Sequence, residues 1–184
     1  MITIIPLKLY IDTEFTSFEC RHLLSFGAVS EDGNHEFYQE VTDYPDDTCS
    51  PFVIKHVLNL LDHARYGMTY DQVARTLSTW IDSIGVPDIE VIVDYSGDIE
   101  LMQELLQNFP TRTNMIYSYI EPAFERTLRE LGYTLDSTII SAYNEALLGM
   151  KQYFEIDPRQ HHALVDAKSN RHGWITGVSS AFQL

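Results

Sequence analysis

The stretch that decides the fold is LKLYIDTEFTSFECRHLLSFGAVSEDGNHEFYQEV, residues 7–41. It contains three β-prone runs, at residues 7–12, 22–30 and 35–41, of which the third alternates apolar and polar side chains. The turn EDGN at residues 31–34 joins the second run to the third, and its Asp-Gly pair tolerates the positive φ angles of a tight hairpin. The sequence therefore predicts a fold that begins with three antiparallel strands.

Downstream of this stretch, helical patterns alternate with two further strand-like runs. Strands are predicted at residues 89–95 and 114–119. One helix is predicted to begin at Ser50-Pro51 and a final one near Ala163. Four helices between them are predicted at residues 70–84, 98–107, 123–131 and 141–149. Strands that are separated by helices pair in parallel through right-handed crossovers. We therefore expect an α/β fold with a five-stranded mixed sheet in the order 3-2-1-4-5 and helices on both faces, which is the ribonuclease H-like architecture.

Length and composition indicate a single globular domain over residues 1–184. The chain is 45% apolar and 12% aromatic, and it has no low-complexity tract. We expect no signal peptide, because residues 1–7 lack a basic leader, and no membrane span, because no apolar run approaches about 18 residues. Cys20 and Cys49 have no ligand-spaced partner and are expected to be free thiols in the cytoplasm.

The net charge is strongly negative, because 12 basic and 27 acidic side chains give −15. This argues against a long electrostatic contact with a nucleic-acid backbone, which normally requires a basic stripe. It does not exclude a protein that grips a few nucleotides, because bound cations reverse the local charge of a carboxylate cluster. If nucleic acid is the ligand, the charge predicts short binding at an end of the strand.

Two groups of acidic residues stand at the ends of predicted strands. Asp12 and Glu14 close the first strand, and residues two apart on a strand point to the same face. Asp98 follows the strand at residues 89–95, where Asp94 is a competing candidate. Each group has an ordinary explanation when it is taken alone, namely solvated loop acids for the first and a helix N-cap for Asp98.

A third group lies at the start of the final helix, where His161 precedes Ala163 and Asp166 falls within the first turn. A surface His pair before an ordinary helix is the alternative explanation. The predicted topology brings all three groups to one place, and carboxylate oxygens are the ligands that divalent cations such as Mg²⁺ prefer. Two such ions can activate water and stabilise the leaving oxygen of a phosphodiester, while a His that titrates near neutral pH can accept the proton of that water.

The chain resembles the DEDDh family of 3′-5′ exonucleases at three motifs, which are Asp12-Thr13-Glu14-Phe15, Asp98 and His161-x-Ala163-Leu164-x-Asp166-Ala167. That family includes ribonuclease T, oligoribonuclease and polymerase proofreading subunits, and the resemblance runs in order along essentially the whole chain. Residues 10–15, 24–33 and 161–167 are also similar to the branch of exoribonucleases known as ribonuclease AS, which is specific for adenylate-rich 3′ ends.

The resemblance implies a role for each motif residue. Two Mg²⁺ or Mn²⁺ ions would be held by Asp12, Glu14, Asp98 and Asp166, the general base would be His161, and the terminal nucleotide would be contacted by Phe15 and Thr13. His162 is the alternative base. Asp94 and Gly97 stand where the family often has Asn and an aromatic residue, and this departure leaves the substrate contacts of that strand end open.

The resemblance also implies the reaction, which is release of nucleoside monophosphates from a single-stranded 3′ end. RNA is favoured over DNA by the similarity to ribonuclease AS. The alternatives are a 3′-5′ exodeoxyribonuclease, a non-catalytic nucleic-acid-binding module of the same fold, and a two-metal phosphoesterase that acts on a small nucleotide. A homodimer is suggested by analogy, since a small exonuclease can use a partner surface to hold its strand, and no membrane partner is expected.

Overall fold

The computed structural model describes residues 5–183 and contains a six-stranded mixed sheet. Its strands are β1 (Leu7–Phe15), β2 (Leu23–Ser30), β3 (Glu36–Val41), β4 (Gly67–Met68), β5 (Asp88–Val93) and β6 (Asn114–Tyr119). The spatial order is β4-β3-β2-β1-β5-β6, so the prediction of five strands in the order 3-2-1-4-5 is wrong. The difference is β4, a parallel edge strand of two residues beside β3, which is too short to leave a periodic pattern in the sequence. The five longer strands lie in the order β3-β2-β1-β5-β6.

Seven helices connect and cover the described strands, namely α1 (Pro51–His56), α2 (His63–Tyr66), α3 (Tyr70–Ile84), α4 (Ser96–Gln107), α5 (Ile120–Glu130), α6 (Asp136–Ile156) and α7 (Ala163–Ala181). Two begin as the sequence indicates, because the Ser50 side chain caps α1 and Thr69 forms a capping box with Gln72 at α3. The helix predicted at residues 141–149 is much longer in the structure. Its N-cap, Leu135, offers no side-chain hydrogen bond, so the capping residue that would mark its start in the sequence is absent.

Alternation along β1 divides the core between the two faces of the sheet. Leu9 and Ile11 join an apolar cluster with α3 and α4, whereas Tyr10 joins a second cluster with α5, α6 and α7. Helices therefore cover both faces, as the pattern predicts. Because side chains two residues apart share a face, Asp12 and Glu14 lie on the same face as Tyr10, which is the face that α7 covers.

The start of α7 lies directly on the sheet at Gly27 of β2. A Cβ atom added to Gly27 would stand 2.2 Å from the backbone nitrogen of Leu164 and 2.3 Å from the carbonyl carbon of Ala163. Gly27 also pairs with Asp12 across β1 and β2. The absence of a side chain at Gly27 therefore lets the first turn of α7 approach the acidic end of β1.

No helix within residues 5–183 combines the length and the apolar composition that a membrane crossing requires. The expectation that the chain opens without a signal peptide rests partly on residues 1–4, which lie outside the described part of the chain.

Candidate active site

A cleft of about 480 Å³ opens where the parallel strands β1 and β5 end. The carboxyl ends of parallel strands are where ligands usually bind in open α/β sheets. The cleft is lined by two kinds of side chain, acidic and aromatic, together with small residues, and they are Asp12, Thr13, Glu14, Phe15, Ser17, Phe18, Ser50, Phe52, Val53, Asp94, Tyr95, Asp98, His161 and Asp166. The structure thus brings together every predicted site residue, although these come from three separate parts of the chain.

The acidic residues form two groups that are suited to hold a cation. In the first, ligand atoms of Glu14, His161 and Asp166 all lie within 4.8 Å of one another, and in the second the same holds for Asp12, Asp94 and Asp98. Three carboxylate oxygens of the cleft are buried and find no hydrogen-bond partner among residues 5–183, and these are Asp12 Oδ2, Asp98 Oδ2 and Asp166 Oδ1. Buried carboxylate oxygens normally have a partner, so these atoms fit a hard divalent ion with oxygen ligands.

Burial and mutual repulsion raise the pKa values of four carboxyl groups in the cleft, those of Asp12, Glu14, Asp98 and Asp166. Burial raises the pKa of Glu14 to about 8, with further contributions from the charges of Asp166 and Asp98. Burial likewise raises the pKa values of Asp98 and Asp166 to about 7 each. The pKa of Asp12 is also well above its ordinary value, because the group is buried and faces the charge of Asp98. A cluster of this kind is costly when ionised and is relieved by bound positive charge.

The Asp98 side chain is held in place by hydrogen bonds from Thr13 that the sequence does not predict. Asp98 is the third residue of α4, and its Oδ1 accepts hydrogen bonds from the Thr13 backbone N–H at 3.2 Å and from Thr13 Oγ1 at 2.6 Å. Tyr95 is the N-cap of α4, and no side chain caps this helix, so Asp98 is not its cap. The Thr13 side chain, which we expected to contact substrate, lines the cleft but uses its hydroxyl to orient Asp98.

His161 stands at the mouth of the cleft in an unusual backbone conformation. Its φ angle is 70°, in the left-handed region that costs a non-glycine residue roughly 1–2 kcal/mol. Its N–H donates to Asp166 Oδ2 at 2.9 Å, which helps to hold this conformation. Burial, and then the neighbouring His56, lower the pKa of His161, so its imidazole is neutral at neutral pH and can accept a proton. His162, the alternative base, is 6% exposed and is not among the residues that line the cleft.

Aromatic rings form the walls beside the carboxylates. Phe15 and Tyr95 stack with ring centroids 6.0 Å apart and planes 25° apart, and Phe18 meets both rings edge-on. Phe18 is 74% exposed, and Phe52, which packs edge-on against His161, is 52% exposed. Phe15 also packs against the apolar cluster of α3 and α4, so it belongs to both the core and the cleft.

Sequence reasoning missed three of these aromatic residues, which are Phe18, Phe52 and Tyr95. Phe52 fits the helical apolar pattern of the segment after Ser50, and this pattern favours a buried position. The available signal was that Phe18 and Tyr95 lie within four residues of predicted acidic positions, at Glu14 and Asp98 respectively.

A comparison with known protein families identifies a match that covers most of the chain. A family model described as the Rv2179c-like domain, a 3′-5′ exoribonuclease domain, matches residues 7–177. The matched range contains all of the carboxylates of the cleft and His161. No curated protein matches the chain in a sequence comparison.

Proposed function

Because this chain belongs to the Rv2179c-like family of 3′-5′ exoribonuclease domains, we propose that it is a metal-dependent enzyme that releases nucleoside monophosphates from single-stranded RNA 3′ ends. We also propose that the whole chain acts as one exonuclease domain of the DEDDh type with a ribonuclease H-like fold. The observation that carries the metal dependence is the set of buried, unpartnered carboxylate oxygens in the cleft. Family membership supports the direction of cleavage and the RNA substrate.

The metal ligands in this proposal are Asp12, Glu14, Asp98 and Asp166, and the cations are two Mg²⁺ or Mn²⁺ ions. Their oxygen ligands and raised carboxyl pKa values suit hard divalent cations. When bound, such ions neutralise charge on the phosphodiester and lower the pKa of the attacking water. Asp94 reaches the Asp12 and Asp98 group and offers one further oxygen ligand there.

His161 acts as the general base. Its lowered pKa leaves the imidazole neutral, so a ring nitrogen can take the proton of the attacking water as the oxygen of that water bonds to phosphorus. The bond from phosphorus to the 3′-oxygen of the penultimate nucleotide breaks, and that oxygen leaves with a proton from solvent. The hydrogen bond between the His161 N–H and Asp166 ties the base to a metal ligand, so both keep a constant relative position.

The aromatic walls hold the bases of the 3′ end. Stacking of a base on an aromatic ring is worth about 1–3 kcal/mol and depends little on base identity. Phe18 and Phe52 offer exposed rings, and Phe15 and Tyr95 form a stacked pair that lines the same cleft. With a net charge of −15, the protein has little capacity to bind phosphates along a strand, so stacking and metal contacts at the terminus supply the grip.

The test is an exonuclease assay on 5′-labelled single-stranded RNA, single-stranded DNA and poly(A), with Mg²⁺, Mn²⁺ or EDTA. We expect a ladder of RNA products shortened from the 3′ end, release of nucleoside monophosphates, and no reaction in EDTA. Asp12→Asn should abolish the ladder, and His161→Ala, which loses the general base, should slow it by about 10²- to 10⁴-fold. Glu130→Gln, on an exposed site of α5, should leave the rate unchanged. Absence of products with every substrate and metal would overturn the proposal, and equal activity of all variants would reveal a contaminating nuclease.

A further inference from the structure

His162, the neighbour of the proposed base, is clamped against a tyrosine of the sheet. Its imidazole stacks on the Tyr38 ring with centroids 4.3 Å apart and planes 19° apart. Both residues are buried, at 6% and 8% exposure respectively. The ring Nδ1 of His162 has no hydrogen-bond partner among the described residues, so no hydrogen bond at this atom orients the ring, whereas the stack on Tyr38 does.

Tyr38 is itself anchored from below. Its hydroxyl donates to Glu40 Oε1 at 2.8 Å, and Glu40 is fully buried. The same carboxylate oxygen accepts the backbone N–H of Asp62 at 2.9 Å, just before α2 begins. The ring of Tyr66, at the end of α2, packs edge-on against Tyr38 with centroids 5.0 Å apart. The Tyr38 ring is therefore held by its hydroxyl and by the Tyr66 ring, both contacts being with groups outside the cleft.

The backbone of His162 connects the stacked ring to both His161 and Asp166. The carbonyl of His162 accepts the N–H groups of Val165 and Asp166, at 2.7 and 3.0 Å, and so begins α7. His161 precedes His162 directly and has the left-handed φ angle of 70°. A residue in this region relaxes to a negative φ unless its surroundings prevent it, and such a relaxation would swing the His161 imidazole out of the cleft.

We infer that Tyr38 is a positioning residue for this enzyme. By stacking on the His162 ring, Tyr38 holds the adjacent His161 in place, so that the His161 imidazole stays directed at the reacting phosphate. The inference rests on the proposed role of His161 as general base. Tyr38 is not among the residues that line the cleft, so it acts only through the loop that carries His161.

The experiment compares Tyr38→Leu, which removes the stack, with Tyr38→Phe, the conservative variant that keeps it. A misplacement of about 1 Å can cost about 10²-fold in rate, so we expect Tyr38→Leu to lower kcat by about 10- to 100-fold. KM for RNA should stay within about twofold, because the aromatic walls are unchanged, and Tyr38→Phe should recover most of kcat. Tyr143→Leu, which removes a partly buried ring packed on Phe124 away from the cleft, controls for a general loss of stability.

A double-mutant cycle separates positioning from a structural effect. If Tyr38 acts through His161, Tyr38→Leu should cause little further loss in single-turnover rate when His161 is already Ala. An equal loss in both backgrounds would overturn the inference, as would an unchanged kcat of Tyr38→Leu in the otherwise wild-type enzyme. Full activity of His161→Ala alone would instead refute the proposed base.

A second pair of variants covers the case in which Tyr38→Leu does not fold. His162→Phe keeps a flat ring for the stack, whereas His162→Leu does not. The positioning role predicts that kcat falls by about 10- to 100-fold in His162→Leu and is largely retained in His162→Phe. Equal kcat values for these two variants at a temperature where both are folded would contradict it.

Discussion

Replacing Asp98 by Asn should stabilise the metal-free protein above pH 7 while removing most of the stabilisation by Mg²⁺. Burial raises the pKa of Asp98 from an ordinary value near 3.8 to about 7, and its side chain is 2% exposed. One pKa unit corresponds to about 1.4 kcal/mol, so the ionised carboxylate costs the folded state on the order of 4 kcal/mol. The Asn amide oxygen can still accept the two hydrogen bonds from Thr13, so the substitution removes the charge and keeps these contacts.

The direction of the pH effect follows from the raised pKa. Below about pH 4 the carboxyl is protonated in both folded and unfolded states, and its contribution to stability is fully present. Between about pH 4 and pH 7 the unfolded state has released this proton while the folded state still holds it, so stability falls as the pH rises; above about 7 both states have released it and the loss is complete. The wild-type protein in EDTA should therefore lose stability between about pH 4 and pH 7, and Asp98→Asn should lose less.

Thermal unfolding followed by circular dichroism measures this difference. For a domain of this length, about 1 kcal/mol shifts Tm by about 2–4 °C, so Asp98→Asn should melt roughly 10 °C above the wild type in EDTA at pH 8. Saturating Mg²⁺ should raise the wild-type Tm more than that of Asp98→Asn, whereas Glu130→Gln should behave like the wild type. A Tm of Asp98→Asn in EDTA at pH 8 that equals or falls below the wild-type value would show that the buried charge is not costly and would refute the reasoning.

Substitutions at three further positions test other contacts of the site. Thr13→Val removes the hydroxyl that orients Asp98, so it should weaken both Mg²⁺ binding and activity, whereas Thr13→Ser keeps the hydroxyl and should retain both. The measurement is the reaction rate as a function of Mg²⁺ concentration. Phe52→Ala should raise KM for RNA by about tenfold, equivalent to about 1.4 kcal/mol of lost stacking, with a smaller change in kcat in steady-state assays. Gly27→Ala should destabilise the protein by about 1–3 kcal/mol in urea unfolding and reduce activity, because the new Cβ would displace the first turn of α7. Unchanged stability of this variant would contradict the close contact between Gly27 and α7.

Local patterns in the sequence were enough to predict the parts of the fold that depend on neighbouring residues. The two-residue period of β1 placed Asp12 and Glu14 on one face, and the Asp-Gly turn predicted a tight connection in which Gly33 has a φ angle of 75°. The first turn of α7 was predicted to contain Asp166, and the structure begins this helix at Ala163.

Contacts between distant segments could not be predicted in this way. The Thr13 hydroxyl donates to Asp98, which lies 85 residues away in the sequence, so no local pattern around Thr13 could reveal this hydrogen bond. The His162 and Tyr38 rings meet only because α7 rests on Gly27, whose pairing with Tyr38 is a matter of strand register. The two-residue β4 exists because Gly67 and Met68 pair with Glu40 and Val41, and a run that short has no detectable period.

The proposed function also accounts for how an acidic protein holds a polyanion. Several of its basic side chains already face carboxylates, including Arg21 with Glu100 and Lys168 with Glu36. These ion pairs reduce the number of cations that can neutralise phosphates along a strand, and neutralised phosphates are what give affinity for a continuous backbone. Binding must then depend on cations at the carboxylate cluster and on rings such as Phe18 and Phe52, which lie together in one cleft. A protein that can grip a strand only in such a cleft is better suited to act at a terminus than along the chain, which is the behaviour of an exonuclease.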